Sequence, residues 1–254
     1  MSRPRILFSL PCYNEAENLP YVFKDFEALA KRPDFPFEVE VVVVDDCSKD
    51  NTKAVVEEYD GEIKVHYHPH STNKGLTGGI NTSFELFEKD RLSENPALAY
   101  GMMDGDNSHS SLFVPSMIER ILSGYEVVVA SRFQTGSLIR GVSGFRQVLS
   151  LGLGMLFKLF RNIPGVRDYS CGYRLYSPSI VKRVKQHFSG DVVEEQSFAS
   201  MVEILVKCHL LQATCTEVPF ILRYDYKLGE SKMPFEKTIK DNIRLLNTHL
   251  KVDL

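Results

Sequence analysis

The sequence has no Cys-x-x-Cys pair, and its five cysteines, Cys12, Cys47, Cys171, Cys208 and Cys215, lie scattered through 254 residues. An odd, dispersed set argues against a disulfide framework or a cysteine-built zinc site and fits a reducing, intracellular compartment. No segment reaches the roughly 18 apolar residues of a membrane span. The N-terminal "MSRPRILFSLPCYNE" is too short and interrupted for a signal peptide. Excess positive charge is lacking too: a formal net charge of −3 offers no general attraction to nucleic acid. Two nucleotide signatures are also missing. "LPCYNEAENLP" stands where a dinucleotide fold would carry Gly-x-Gly-x-x-Gly, and no Gly-x-x-x-x-Gly-Lys-Ser/Thr loop occurs, which disfavours dehydrogenases and P-loop NTPases. Repeats and low-complexity tracts are absent.

What is present is an ordinary folded composition, 43% apolar and 25% charged, with nothing that separates the halves. A single large domain is expected. In the first half, β-rich runs ("RILFSL", "EVEVVVVDD", "IKVHYH", "ALAYGMMD", "EVVVAS") alternate with helical patterns over 15–31, 51–59, 77–88 and 115–123. That alternation predicts an α/β fold, a mostly parallel sheet covered on both faces. Ligands of such sheets bind beyond the carboxyl ends of the strands. Each strand end here carries chemistry: "PCYNE", "DDCSKDNT", "NKGLTGG", "DGDNSH" and "SRF". The second half reads less regularly: an apolar "VLSLGLGMLFKLF", a turn-rich "RNIPGVRDYSCGYRLY", a helix over 194–208, and a strand "CTEVPFILR". The tail, 234–254, places Phe235, Ile239, Ile243, Leu246 and Leu250 at helical spacing, an amphipathic helix beyond a 1–233 domain.

Several motifs admit two readings. Asp45 and Asp46 with Ser48 and Asp50 suit a helix cap, or a carboxylate that accepts from a nucleobase or ribose. Asp104 and Asp106 suit a turn, or a Mg²⁺ or Mn²⁺ site, since alternate strand residues share a face and two adjacent carboxylates repel without a cation. His66, His68 and His70 resemble a metal cluster, although the structural reading is preferred. The glycines after Lys74 open a helix whose backbone donors, with Lys74, suit an anion. "VLSLGLGMLFKLF" suits either a core helix or one lying in a membrane interface.

Taken together, "PCYNEAENL", "VVVVDDCSKDNT", "NKGLTGGIN", "MMDGDNSH", "ASRF", "RNIPGVRDYSCGYRLY" and "EVPFILRYDYKLGESKM" resemble family 2 glycosyltransferases of the GT-A fold, most closely the dolichol-phosphate or polyprenyl-phosphate mannosyltransferase branch. The resemblance implies a Rossmann-like central sheet with a C-terminal acceptor-side region. It implies an inverting, metal-dependent transfer of mannose from GDP-mannose to a polyprenyl or dolichyl phosphate. Pro11, Tyr13, Glu15, Asp45, Asp46 and Lys74 would hold the nucleotide, Asp104 and Asp106 the Mg²⁺ or Mn²⁺, and Arg132, Arg146 and Ser150 the acceptor phosphate. Asp104, Asp106 and Arg132 would be the catalytic set. The expected setting is the cytoplasmic face of a membrane, with peripheral contact through the apolar segment, the tail or a membrane partner subunit. The sequence departs from the branch at Ser108, where glutamine is expected, at Tyr226, where arginine is expected beside Lys227 and near Arg223, and at Cys171 and Tyr173. Two alternatives stand beside this reading. One is a hydroxyl acceptor, which needs a general base such as Asp168 or Glu203; the other is a non-catalytic nucleotide-binding subunit.

Overall fold

The computed structural model describes residues 3–196, 198–229, 241 and 244. Its chain order starts with the expected alternation: β1 (Arg5–Cys12), α1 (Leu19–Ala30), β2 (Glu38–Asp45), α2 (Thr52–Glu57), β3 (Lys64–Pro69), α3 (Gly75–Arg91), β4 (Ala99–Met102), α4 (Val114–Leu122) and β5 (Val127–Ser131). There follow β6 (Leu138–Arg140), α5 (Gly144–Phe160), β7 (Arg174–Tyr176), α6 (Pro178–His187), α7 (Ala199–Leu210), β8 (Cys215–Pro219) and β9 (Ile221–Arg223). Seven strands form one sheet in the order β3-β2-β1-β4-β7-β5-β8, and β6 pairs with β9 in a small second sheet. Only β7 runs against its neighbours, pairing antiparallel with both β4 and β5. The other pairings in the large sheet are parallel.

The sheet's centre is apolar on both faces. In β1, Ile6, Phe8 and Leu10 point one way and Leu7 and Ser9 the other, and all are buried. Helices therefore cover both sides, as a parallel sheet requires. Helix α1 turns Leu19, Val22, Phe23, Phe26 and Leu29 inward at three- and four-residue spacing. It begins at Leu19 and not at Glu15, with Pro20 in its first turn, because residues 15–18 form a turn closed by Asn18 N–H on Glu15 O at 3.0 Å.

Other boundaries differ from the sequence reading. The expected 194–208 helix starts at Ala199, because the Glu203 carboxylate reaches back to accept the N–H groups of Glu194 and Glu195, at 2.9 and 2.8 Å. The single strand expected over "CTEVPFILR" divides between the two sheets as β8 and β9. β7 and α6 lie in stretches that read as irregular. Three residues of β7 are too few to show periodicity, and Arg174, fully buried at its start, hides its character. Most of the 234–254 tail lies outside the described residues. Among the described residues no helix is long and apolar enough to cross a membrane.

Candidate functional site

The carboxyl ends of β1, β2 and β4 converge because these strands are adjacent and parallel, so their following loops share one rim. Three of them use a residue at positive φ: Asn14 (53°), Cys47 (63°) and Asn107 (63°). Such backbone is costly outside glycine and persists where the surroundings enforce it. Here hydrogen bonds do so. Asn14 N–H donates to Ser48 Oγ at 2.8 Å, and Asn14 Oδ1 accepts from Lys49 N–H at 2.7 Å. Glu15 N–H meets Thr52 Oγ1 at 3.0 Å and Ala16 N–H meets Asp50 Oδ2 at 3.0 Å.

Asp45 and Asp46 both point inward and are both taken up. Asp45 accepts from Ser48 and, at 2.6 Å, from the Tyr67 hydroxyl. Asp46 answers the question left by the glycine-rich helix start: its carboxylate accepts the N–H groups of Lys74 (2.7 Å) and Gly75 (2.8 Å) and bonds His70 Nδ1 at 2.8 Å. The anion at the head of α3 is the chain's own. The Lys74 side chain is exposed. His70 continues to Thr82 at 2.8 Å, whereas His66 turns to Glu40 at 2.5 Å, so the histidines serve separate partners. Replacing Asp46 by alanine removes three bonds at a buried helix head. A loss of about 2 kcal/mol is expected, read as a fall of roughly 4–8 °C in melting temperature.

Asp104 and Asp106 come together by a route other than strand alternation, because β4 ends at Met102. The turn does the work. A side chain at Gly105 would put its Cβ 2.3 Å from Cys12 Sγ, so only glycine lets this loop lie on β1. Asp106 Oδ1 accepts from Ser108 N–H (3.1 Å) and Ser108 Oγ (2.5 Å), and Oδ2 meets the Lys227 ammonium at 2.8 Å. Burial opposes ionisation of Asp106, but Lys227 prevails and the carboxyl lies below its ordinary value. Burial and the Asp106 charge raise Asp104 despite the nearby His109, which is stacked on Tyr173 with ring centres 5.3 Å apart. Burial and the carboxylates of Glu15, Asp45, Asp104 and Asp106 push the Cys12 thiol well up, so it is a protonated packing group and no nucleophile. This cluster is strongly anionic and already attracts one cation. Hard carboxylate oxygens beside a bound ammonium fit a divalent ion such as Mg²⁺ or Mn²⁺. Among the described residues no group of three or more His, Cys, Asp or Glu is placed to hold a metal ion.

Arg132 follows β5, within electrostatic reach of Asp104. Its Nε and Nη2 form a fork on Asp168 at 2.7 and 2.6 Å, and Nη2 also donates to Ser170 Oγ at 2.7 Å. Three of its five N–H donors are thus spent, and among the described residues Nη1 makes no hydrogen bond. Asp168 is fully buried and also accepts the N–H groups of Arg132 (2.9 Å) and Cys171 (3.1 Å). Burial opposes its ionisation, but Arg132 and the buried Arg174 hold it below its ordinary value. Glu203, the other carboxylate suggested as a base, is buried on Lys207 at 2.6 Å. Arg146 and Ser150 fall on helix α5, but their side chains lie outside the described residues.

Sequence reasoning missed Asn18. Its side chain accepts from Leu228 N–H (2.9 Å) and donates to Leu228 O (3.1 Å) and Glu15 Oε2 (2.7 Å), tying the β1 loop to the stretch after β9. An asparagine in "NEAENL" gives no local sign of a partner 210 residues away. Nor did Asp168 read as the holder of Arg132, because the two are 36 residues apart.

The sequence profile described as "Glycosyl transferase family 2" matches residues 9–185. The chain is 27% identical to the dolichol-phosphate mannosyltransferase of Pyrococcus furiosus, over 92% of its own length and 60% of that protein. It therefore spans less than two thirds of that relative. It is 28% identical to the undecaprenyl-phosphate mannosyltransferase of Micrococcus luteus, over 90% of this chain and 87% of that one. Among solved structures, glucosyl-3-phosphoglycerate synthase from Mycobacterium tuberculosis, in complex with Mn²⁺, UDP and glucosyl-3-phosphoglycerate, superposes with a TM-score of 0.63 at 16% identity, covering 96% of this chain and 77% of that one. That likeness bears on the fold, which is GT-A.

Proposed function

Because this chain belongs to glycosyltransferase family 2, we propose that it transfers a hexose, mannose from GDP-mannose, to the phosphate of a polyprenyl or dolichyl phosphate. The transfer inverts the anomeric carbon and takes place at the cytoplasmic face of a membrane. Pro11, Tyr13 and Glu15 line the nucleotide side, on a rim shaped by Asp45, Asp46 and Lys74. Asp104 and Asp106 would hold a Mg²⁺ or Mn²⁺, which as a Lewis acid would stabilise charge on the departing diphosphate. Arg132, with Arg146 and Ser150, receives the acceptor's phosphate.

One observation carries the choice of acceptor: both carboxylates suggested as general bases, Asp168 and Glu203, are locked in buried ion pairs, while Arg132, within electrostatic reach of Asp104, has an Nη1 that makes no hydrogen bond among the described residues. A hydroxyl nucleophile needs a base. A phosphate monoester is already ionised at neutral pH and needs instead a cation to hold it, for which a planar guanidinium is well suited. Replacing Arg132 by methionine should raise the apparent KM for a polyprenyl phosphate strongly and change the KM for the nucleotide sugar little. Equal losses with any hydroxyl acceptor would overturn this assignment.

The lipid chain has a surface to meet. Helix α5 exposes Leu151, Met155, Leu156, Leu159 and Phe160, with Leu159 76% and Phe160 62% exposed. This helix directly follows the acceptor side, and its open apolar face supports peripheral contact with a bilayer or a membrane partner subunit. Leu159→Ser with Phe160→Ser should cost about 2 kcal/mol of interfacial burial, a roughly 30-fold weaker partition onto phospholipid vesicles in a flotation assay. Turnover of a short-chain, water-soluble polyprenyl phosphate should stay within about twofold. Unchanged flotation would remove α5 from the membrane contact.

A further inference from the structure

The stretch from Arg223 to Leu228 crosses the mouth of the site and is fastened on both sides. On the β4 side, Arg223 N–H donates to Ser108 O at 2.9 Å and Asn107 Nδ2 donates to Tyr226 O at 3.2 Å. On the β1 side, Leu228 is held through both its N–H and its carbonyl by Asn18. Between these anchors Lys227 turns inward, its side chain only 10% exposed, and sets its ammonium 2.8 Å from Asp106 Oδ2. Oδ1 of the same carboxylate is committed to Ser108. Oδ2 is thus the oxygen with which Asp106 can ligate a divalent ion, and Lys227 already sits on it. A divalent ion ligated by that oxygen would stand beside the ammonium, and the two positive charges would repel.

We infer that Lys227 is an exchangeable counter-ion of the site: a divalent ion displaces it from Asp106, and the released ammonium moves onto the donor's diphosphate. The inference rests on the metal role given above to Asp104 and Asp106. A largely buried ammonium stripped of its carboxylate is costly, so a divalent ion alone must bear that cost. When a nucleoside diphosphate arrives with the ion, its oxygens supply the ammonium with a new partner. Lysine suits this exchange, since it is a point charge on a flexible four-carbon stem, whereas arginine's planar fork favours fixed bidentate partners. The anchored backbone confines the movement to the side chain. Divalent ion and nucleotide are then coupled ligands, each tightening the other by the same factor.

The test is Mn²⁺ binding, followed by the loss of the free-ion electron paramagnetic resonance signal, with and without GDP and, in parallel, UDP. The full chain is compared with Lys227→Met, Lys227→Gln and Asp106→Asn, each checked for folding by its thermal melt. In the native chain, the nucleoside diphosphate that binds should tighten Mn²⁺ at least tenfold. Lys227→Met and Lys227→Gln should bind Mn²⁺ alone at least tenfold more tightly than the native chain, and the nucleotide should add much less. Equal affinity for Mn²⁺ alone in the native chain and both Lys227 variants would overturn the exchange. Asp106→Asn separates the two claims: if it retains Mn²⁺ under both conditions, the metal assignment itself fails, whatever Lys227 does.

Discussion

Asparagine at position 106 is expected to lower kcat/KM by roughly 10³-fold and also to lower the melting temperature, because the buried Lys227 ammonium loses its carboxylate partner. The substitution is nearly isosteric. Its side-chain oxygen can still accept from Ser108 N–H and Oγ, which hold Asp106 Oδ1 at 3.1 and 2.5 Å, so the turn keeps its shape. What disappears is one negative charge in a cluster that includes Glu15, Asp45 and Asp104. An amide oxygen is a weaker ligand for a hard cation than a carboxylate, and stabilisation of the leaving diphosphate falls with it. Asp104→Asn should act in the same direction. If Asp106→Asn retained a tenth or more of native kcat/KM at saturating Mg²⁺, the pair would have no part in the chemistry.

Asp168→Asn should be the most destabilising single change at the site, costing about 3–5 kcal/mol in denaturant unfolding. The carboxylate is fully buried and accepts four hydrogen bonds from Arg132 and Cys171. Removing its charge leaves the Arg132 guanidinium, with Arg174 close behind, without a counter-ion. The pH dependence follows from the direction of its shift. Asp168 is held below its ordinary value, so its contribution to stability is present above the unfolded-state pKa of about 4 and is lost as pH falls through the lower folded-state value. Native and Asp168→Asn stabilities should therefore differ fully near neutrality and converge in acid. Because Asp168 orients Arg132, the variant should also raise the KM for a phosphate acceptor. A variant as stable as the native chain at pH 7 would refute the buried ion pair.

The parallel half of the fold was legible because apolar strands such as "EVEVVVVDD" end in conspicuous polar clusters, and pattern alone predicts both the strand and the rim it ends on. β7 was not, because three residues dominated by a buried arginine carry no period. The two carboxylates do come within electrostatic reach of each other, but not for the reason read from the sequence. Strand alternation suggested the pair, while Gly105 on Cys12 and the positive φ of Asn107 produce it. Asp46 illustrates a harder limit. Both readings of its motif, cap and binding group, were drawn from local sequence, yet the helix it caps is α3, some 28 residues on, across the β3 strand. Likewise Arg132–Asp168 and Asp106–Lys227 join segments that only the folded sheet brings together, so sequence named the members and not the pairs.

The identity of the product decides whether sugar passes to a phosphate oxygen without a protein base. The purified chain is incubated with radiolabelled GDP-mannose, Mg²⁺ and dolichyl phosphate, and the lipid phase is analysed before and after mild acid. The expected product is a mannosyl phospholipid that mild acid cleaves, absent with Asp106→Asn and strongly reduced with Arg132→Met. An acid-stable glycoside on a hydroxyl acceptor, or no lipid product from any GDP- or UDP-sugar, would contradict this transfer.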